Sequence, residues 1–404
     1  MKKFLFVVPP LTGHVNPTLS LGKALLDRGH DVAWLSVDKQ LKQTLPSGGK
    51  YFDIHYGESA HVDRENEVYL NQISSKNITG IESIKFLYDE VLVPLNRYMF
   101  KSINEWIIKF KPDVVINDQQ LFAASIVAFQ KGIKYATSVT APAAVKMQDD
   151  LPGVSQWEDK QIIAVQKEFG LQIDQSVACS EKLALIYTSP DFFGDMTLKS
   201  NYRFVGLSTT NRRSNYSFDW DAFHLKARER KVLVSIGTTF DHQFKRDFFA
   251  KVVEAFKDKD FSVILVSDPD LFVSWPSNFI VSPQIPQLEL LPLMDAVICH
   301  GGHNTVCETL MQGIPLVVVP IAYDQSYVAG RVVATGSGLR LNYKRFKANH
   351  LADTLQQILT QSHFKEAAQR LQNSFIKTGG VSSAAQFLED FAMSDAPAYE
   401  NIHQ

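Results

Sequence analysis

Apolar residues fall in short runs separated by stretches of helical spacing, and this alternation recurs in both halves of the chain. In the first half the runs predict strands near residues 3–9, 31–37, 113–118, 134–140 and 184–189. In the second half they predict strands near 231–237, 261–267, 278–282, 295–299, 315–320 and 338–342. Such strand–helix alternation argues for an α/β fold with two doubly wound, parallel-sheet, Rossmann-like domains facing each other across a cleft. Between the halves, residues 207–221 (LSTTNRRSNYSFDWD) are polar and rich in turn formers, which marks a linker. The expected organisation is a first domain over 1–206, a linker over 207–228 and a second domain over 229–380. A helix over 381–392 is expected to pack back toward the first domain, and residues 393–404, which lack an apolar face, are expected to be disordered.

Two stretches combine this pattern with chemistry. Near the amino terminus, the apolar run at 4–8 gives way to a turn, Pro9-Pro10-Leu11-Thr12-Gly13-His14. Asn16-Pro17 then makes a good helix start, with asparagine as cap and proline at the first helical position. Leu21, Ala24 and Leu25 share one face of that helix, and Gly29 stops it. His14 is thus expected in the loop at the carboxyl edge of the first strand. Taken alone, a histidine there is ordinarily a polar loop residue.

In the second half, residues 299–310 read CHGGHNTVCETL. The apolar run DAVIC at 295–299 predicts a buried strand, and 304–313 predicts a helix closed by Gly313. Gly301 and Gly302 then occupy a strand-to-helix turn, where free N–H groups and the positive end of the helix suit a phosphate or pyrophosphate. His300 and Asn304 add side-chain donors, and Glu308 lies one helical turn beyond Asn304 on the same face, where a carboxylate suits ribose hydroxyls. A further buried run, PLVVVP at 315–320, leads to Asp324 and Gln325, an acid and an amide beyond the carboxyl end of a neighbouring strand. Open α/β sheets bind ligands at that edge.

Composition narrows the classes. A chain of 404 residues with 45% hydrophobic content suffices for two α/β domains. The balance of 41 basic against 43 acidic side chains, net −2, provides no field that favours nucleic acid. Cys179, Cys299 and Cys307 have no CxxC spacing, which argues against zinc and against a disulfide framework, and Cys299 and Cys307 read as small buried apolar residues. Asp268-Pro269-Asp270 imitates a D-x-D metal signature, yet it carries a proline directly after a strand and reads as a solvated turn. The opening MKKFLFVVPP is stopped by two prolines with no cleavage region behind it, so it reads as the first strand rather than as a signal peptide. No run approaches the roughly 18 apolar residues that span a bilayer. A cytoplasmic location is expected.

The block from Pro286-Gln287 to Asp324-Gln325 closely resembles the nucleotide-sugar signature of the family 1 glycosyltransferases, which use UDP-sugars and have the GT-B fold. In that family the motif reads W-x-P-Q, then H-x-G-x-N-[ST]-x-x-E, then D-Q. His300, Gly302, Asn304, Thr305, Glu308, Asp324 and Gln325 fall into place. The resemblance implies that His300, Asn304 and Thr305 contact the diphosphate, Glu308 the ribose, and Asp324 and Gln325 the sugar hydroxyls. A terminal glutamine at that position usually accompanies glucose. SIGTT at 235–239 matches the family's second phosphate-contacting loop through Gly237 and Thr238. One position departs: Gln284 stands before Ile285-Pro286-Gln287, where the family keeps an aromatic residue that stacks on uracil. A second register, with Val281 at the stacking position, is not aromatic either. Base stacking typically supplies about 1–3 kcal/mol, so base identity is less determined here than sugar-diphosphate binding.

The amino-terminal motifs GHVNP and RGHDV (28–32) also resemble this family, and its histidine there is the catalytic base. Asn117-Asp118, at the end of the strand at 113–118, is the context in which the family keeps the aspartate that pairs with it. The implied activity is transfer of a hexose from a UDP-sugar to an acceptor hydroxyl, with inversion. His14 is the implied general base, Asp118 orients it, and no metal or cofactor takes part beyond the sugar nucleotide as co-substrate. Within the family, NDQQLFAAS (117–125), SIGT, HGGHNTV and PIAYDQSYVAGRVV look most like the carotenoid (zeaxanthin) glucosyltransferases, with macrolide and flavonoid transferases close behind. That implies a bulky apolar acceptor with an exposed hydroxyl, shaped by residues 55–109 and 141–157, and transient contact with a membrane. No protein partner is evident. Two other classes share part of the pattern. A GT-B epimerase or hydrolase would have the donor motif without needing His14 paired with Asp118, and a non-catalytic sugar-nucleotide binder could lose His14 altogether.

Overall fold

A computed structural model of the protein describes residues 1–54, 81–196, 198–209, 218–226, 228–237, 242–257, 259–322 and 324–395. Among these residues the chain forms two parallel sheets. The first comprises β1 (Lys3–Val7), β2 (Asp31–Ser36), β3 (Lys50–Asp53), β4 (Val114–Asp118), β5 (Lys134–Val139), β6 (Ala184–Ile186) and β7 (Tyr202–Phe204) in the order β3-β2-β1-β4-β5-β6-β7. The second comprises β8 (Arg230–Ser235), β9 (Phe261–Val266), β10 (Phe279–Ser282), β11 (Ala296–Cys299), β12 (Leu316–Val318) and β13 (Gly338–Arg340) in the order β10-β9-β8-β11-β12-β13. In each sheet the order reverses next to the first strand, so the chain crosses from one side to the other between β1 and β4 and between β8 and β11. Ligands gather at the carboxyl ends of strands around such a switch point.

Both sheets are sandwiched by helices, and their strands are buried on both faces, as continuous apolar runs such as FLFV (4–7) and VILV (263–266) require. The first helix, α1 (Thr12–Asp27), buries Leu21 and Leu25 against β1 and β2, where Trp34 stacks on Phe6 at 5.3 Å. Gly22 of α1 leaves room for the Trp34 ring, which a Cβ would meet at 2.1 Å.

The helix start corrects one expectation. α1 begins at Thr12 after Leu11, so His14 sits in the first helical turn rather than in a loop, and Pro17 lies inside the helix rather than at its first position. Proline in a helix interior leaves the carbonyl four residues earlier without its N–H. Here that carbonyl belongs to Gly13, and Asn304 of the second domain supplies the donor at 2.9 Å. Two strands, β3 and β7, also escaped the reading of the sequence. Both lie at a sheet edge, where short strands carry little apolar signal. Pro94 does not break the helical stretch it lies in: Ile81–Phe86 leads through a π-helical Leu87–Leu92 into α2 (Val93–Phe110). The wider π turn directly before Pro94 relieves the clash its ring would make with the preceding turn.

The last helix, α3 (Gly380–Met393), leaves the second domain and lies against α1, burying Ala384, Ala385 and Leu388 in the first domain's core. Glu389 accepts from Arg28 Nη1 at 2.5 Å and pairs with His30 Nε2 at 2.7 Å, and Lys134 Nζ donates to the carbonyl of Phe391 at 2.9 Å. The expected tail falls largely outside the described residues, as do 210–217 of the linker and 55–80 of the acceptor region. No helix among the described residues is long and apolar enough to cross a membrane.

Candidate active site

A cavity of about 960 Å3 runs between the two domains, walled by loops at the carboxyl ends of strands from both sheets. His14 lines it from the first domain. Its Nδ1 lies 2.9 Å from Asp118 Oδ2 at the end of β4, and Thr140, just past β5, stands 2.7 Å from the same nitrogen and donates to the same carboxylate oxygen at 2.8 Å. The other Asp118 oxygen accepts the backbone N–H of Gln120 at 2.9 Å. If Nδ1 carried only a lone pair it would face a carboxylate lone pair at hydrogen-bond distance, so the proton belongs on Nδ1. Nε2 is thereby left as the nitrogen available to the cavity. Asp118 is wholly buried behind the ring.

Burial by itself lowers the His14 pKa. The charge of Asp118, its hydrogen bond and the charge of Asp324 from the facing domain outweigh this and hold the imidazole above its ordinary 6.5. Asp324 lines the cavity opposite, and burial pushes its carboxyl up from 3.8 while His14 opposes the shift. His14 therefore lies between two carboxylates, one in direct contact and one across the cleft.

The opposing wall is the turn after β11. Gly301, at φ +91, is packed so that a Cβ would meet Val318 at 2.9 Å and the Gln325 carbonyl at 3.1 Å. Gly302 and Gly237 grip the His300 ring: a Cβ on Gly302 would come within 2.7 Å of its Nε2, and one on Gly237 within 2.9 Å of its Cε1. His300 bonds the Ser235 backbone, but burial dominates and pushes its pKa down to about 4, so near neutral pH it acts as an uncharged polar group. Behind the turn starts α4 (His303–Met311), whose first N–H groups have no partner within the helix and whose dipole is positive at that end. Asn304, Thr305 and Glu308 project from it to the cavity, and Glu308 Oε2 accepts from Gln287 Nε2 at 2.6 Å.

Most of the donor positions named from the sequence thus line this one cavity, Gln284, Ile285 and Gln287 among them. Two stand apart. Thr238 lies outside the described residues. Gln325 is buried off the cavity wall, with its Oε1 accepting the N–H groups of Ile321 at 2.8 Å and Ala322 at 2.9 Å, so it closes the turn that carries Asp324. Asp268 turns its carboxylate back onto the N–H of Asp270 at 2.9 Å, and Cys299 and Cys307 are buried.

Residues 250–389 match the family model described as the C-terminal domain of erythromycin biosynthesis protein CIII-like proteins. Over 399 residues the chain is 26% identical to the NDP-glycosyltransferase YjiC of Bacillus subtilis (strain 168), covering 96% of each. It is 28% identical over 414 residues to YojK of the same organism, described as an uncharacterized UDP-glucosyltransferase, covering 95% of this chain and 96% of the relative. Among solved structures, the calicheamicin glycosyltransferase CalG4 superposes with a TM-score of 0.74 at 21% identity, covering 98% of this chain and all of the other. Together these likenesses support a family 1 glycosyltransferase of the macrolide type. The chain has the GT-B fold, and it is an enzyme of the hexosyltransferase class.

In this transferase, sequence reasoning missed Thr140, whose hydroxyl ties His14 and Asp118 together. The available signal was a hydroxyl residue directly after β5, at the same sheet edge as Asp118. Glu158, one residue past the 141–157 segment expected to shape the acceptor pocket, was also missed; it lines the first-domain side of the cavity together with Tyr88, which falls within the expected 55–109. Burial and the neighbouring Asp159 push the Glu158 carboxyl up to about 7.

Proposed function

We propose that the enzyme is an inverting transferase that moves a hexose, glucose by the match of Asp324-Gln325 to the family motif with Asp324 the member that faces the cleft, from a UDP-sugar to a hydroxyl of a bulky apolar small molecule of the natural-product kind. The observation that carries the reading is the His14–Asp118–Thr140 triangle on the wall facing the Gly301–Gly302 turn. A hydroxyl acceptor is a poor nucleophile near neutral pH, and an imidazole that Asp118 holds above its ordinary 6.5 is a base suited to removing its proton.

In the proposed step, His14 Nε2 takes the acceptor proton as the acceptor oxygen attacks the anomeric carbon. The bond from that carbon to the diphosphate oxygen breaks, and its electron pair leaves with UDP. Asp118 stabilises the imidazolium that forms, as the carboxylate does in a hydrolase triad. The charge growing on the diphosphate meets the amino terminus of α4, His300 and the Ser235–Gly237 turn, which do the work a metal would otherwise do. Attack opposite the leaving group turns an α-linked donor into a β-glycoside. The apolar side chains of Leu11, Ile84, Leu87 and Leu92 on the first-domain wall support an apolar acceptor, and a relative at 23% identity is described as a demethyllactenocin mycarosyltransferase.

The donor base is the first thing to measure, since among the described residues Val266, Pro283, Gln284 and Ile285 line the cavity around the expected stacking position and none of these four carries an aromatic ring. One structural neighbour, VinC, was solved with dTDP. Calorimetric titration with UDP-, TDP-, GDP- and ADP-glucose should favour UDP-glucose. Tighter binding of another base would reassign the donor, and no binding to any would remove the basis of the reading. Proton NMR of the product should show a β anomeric linkage; an α linkage would exclude inversion.

A further inference from the structure

Pro17 leaves a gap in α1 that the other domain fills. In an α-helix the N–H of residue 17 would bond the carbonyl of residue 13, and proline has none to give. Asn304 Nδ2, from the first turn of α4, donates to Gly13 O at 2.9 Å instead. The fit is close, since a Cβ on Gly13 would lie 3.4 Å from that nitrogen. The carbonyl of Gly13 and the N–H of His14 belong to one peptide group, which is planar and moves as a unit. Its N–H is held by Leu11 O at 2.9 Å and its oxygen by Asn304, so the plane that carries the His14 Cα is clamped at both ends, one of them by the second domain.

We propose that Asn304 is a positioning residue for His14: its bond to Gly13 O completes the first turn of α1 and sets the imidazole against Asp118, making the base fully placed only when the two domains stand in this relation. The inference rests on the reading of His14 as base, and it gives Asn304 a task separate from any contact with the diphosphate. It also accounts for a proline inside a catalytic helix. The unpaired carbonyl is what the second domain recognises, and an ordinary residue at 17 would satisfy it within the helix and make the base indifferent to the other domain.

The test is a cycle of Asn304→Ala, Pro17→Ala and the double variant, each checked for folding by its melting temperature. Alanine at 17 suits a helix interior and restores an N–H opposite Gly13 O. Asn304→Ala should lower kcat about tenfold, the scale of one hydrogen bond expressed in a rate. It should also move the acid limb of the kcat/KM profile to lower pH, because a looser first turn weakens the hold of Asp118 on His14 while Asp324, the other carboxylate facing it, is unchanged. Pro17→Ala alone should stay near wild type. The double variant should regain most of the lost kcat and the wild-type acid limb, while its UDP affinity stays that of Asn304→Ala. A double variant no faster than Asn304→Ala would overturn the proposal and leave Asn304 with the diphosphate alone. His14→Ala, run beside it, keeps the two readings apart: if that variant is fully active the base assignment fails, whatever the cycle shows.

Discussion

His14 Nδ1 and Asp118 Oδ2 lie 2.9 Å apart across 104 positions of sequence, with Thr140 bonded to both. The pairing holds the imidazole above its ordinary pKa, so the neutral base is lost as pH falls through a value higher than 6.5. Asp118→Asn keeps the shape but removes the charge and offers an amide in its place. Its kcat should fall about 10²–10⁴-fold, the range expected when the partner of a catalytic histidine is neutralised. The acid limb of the surviving activity should move to lower pH. UDP affinity should change less than threefold, because Asp118 is on the domain away from the diphosphate turn. An unchanged acid limb would mean that the limb does not report His14.

The His300 ring fills the space that two glycines leave open, and that space can be tested alone. Gly302 has an ordinary backbone, φ −60 and ψ 128, so alanine there brings no backbone strain and its effect is steric. The added Cβ would sit 2.7 Å from His300 Nε2 and must displace the ring. Gly302→Ala should weaken UDP binding about tenfold, the cost of losing one or two hydrogen bonds to a charged group, with little change in melting temperature. UDP binding equal to wild type would remove His300 from the diphosphate site.

How far the sequence carried this architecture depends on the range of each cause. The strand at 296–299, the two glycines and the helix behind them follow from local propensity and turn chemistry, and they were legible because every cause lies within a dozen residues. The start of α1 was misread for a physical reason. Pro17 inside a helix is disfavoured unless something far away satisfies Gly13 O, and Asn304, 291 positions on, cannot be foreseen from the local sequence. Thr140 was missed similarly, since its role exists only because β4 and β5 are neighbours. Gln325 reads as a sugar contact by motif, yet its side-chain oxygen is taken by two backbone N–H groups of the turn before it.

Glu158 gives a prediction in stability rather than rate. Burial and Asp159 raise its carboxyl from 4.5 to about 7. A group whose folded pKa lies above its unfolded value contributes most below the unfolded pKa, and that contribution is lost as pH rises through the folded one. The native state is therefore penalised by the charged carboxylate above pH 7. Glu158→Gln should melt with the wild type near pH 4.5 and above it at pH 8, by on the order of 1–2 kcal/mol after allowing for its partial exposure. Thermal scans at the two pH values decide it, and a variant less stable than wild type at pH 8 would mean that the carboxylate has a compensating partner.

The carboxyl-terminal helix tests how the two domains are joined. α3 follows the second domain in sequence, yet Leu388 is fully buried in a cluster with Leu21 and Leu25 of α1 and with Trp34. Truncating such a side chain removes its transfer free energy and leaves a cavity, typically costing about 2–5 kcal/mol. Leu388→Ala should lower stability by that amount in a urea titration and speed amide exchange along α1. Breaking the ion pair beside it should do far less, since Arg28 and Glu389 are partly exposed and such pairs are worth about 0–1 kcal/mol. If Leu388→Ala and Glu389→Gln cost the same small amount, α3 is an adherent tail. If the order is as argued, the chain closes by threading its last helix into its first domain, and loosening that helix should loosen the element that carries His14.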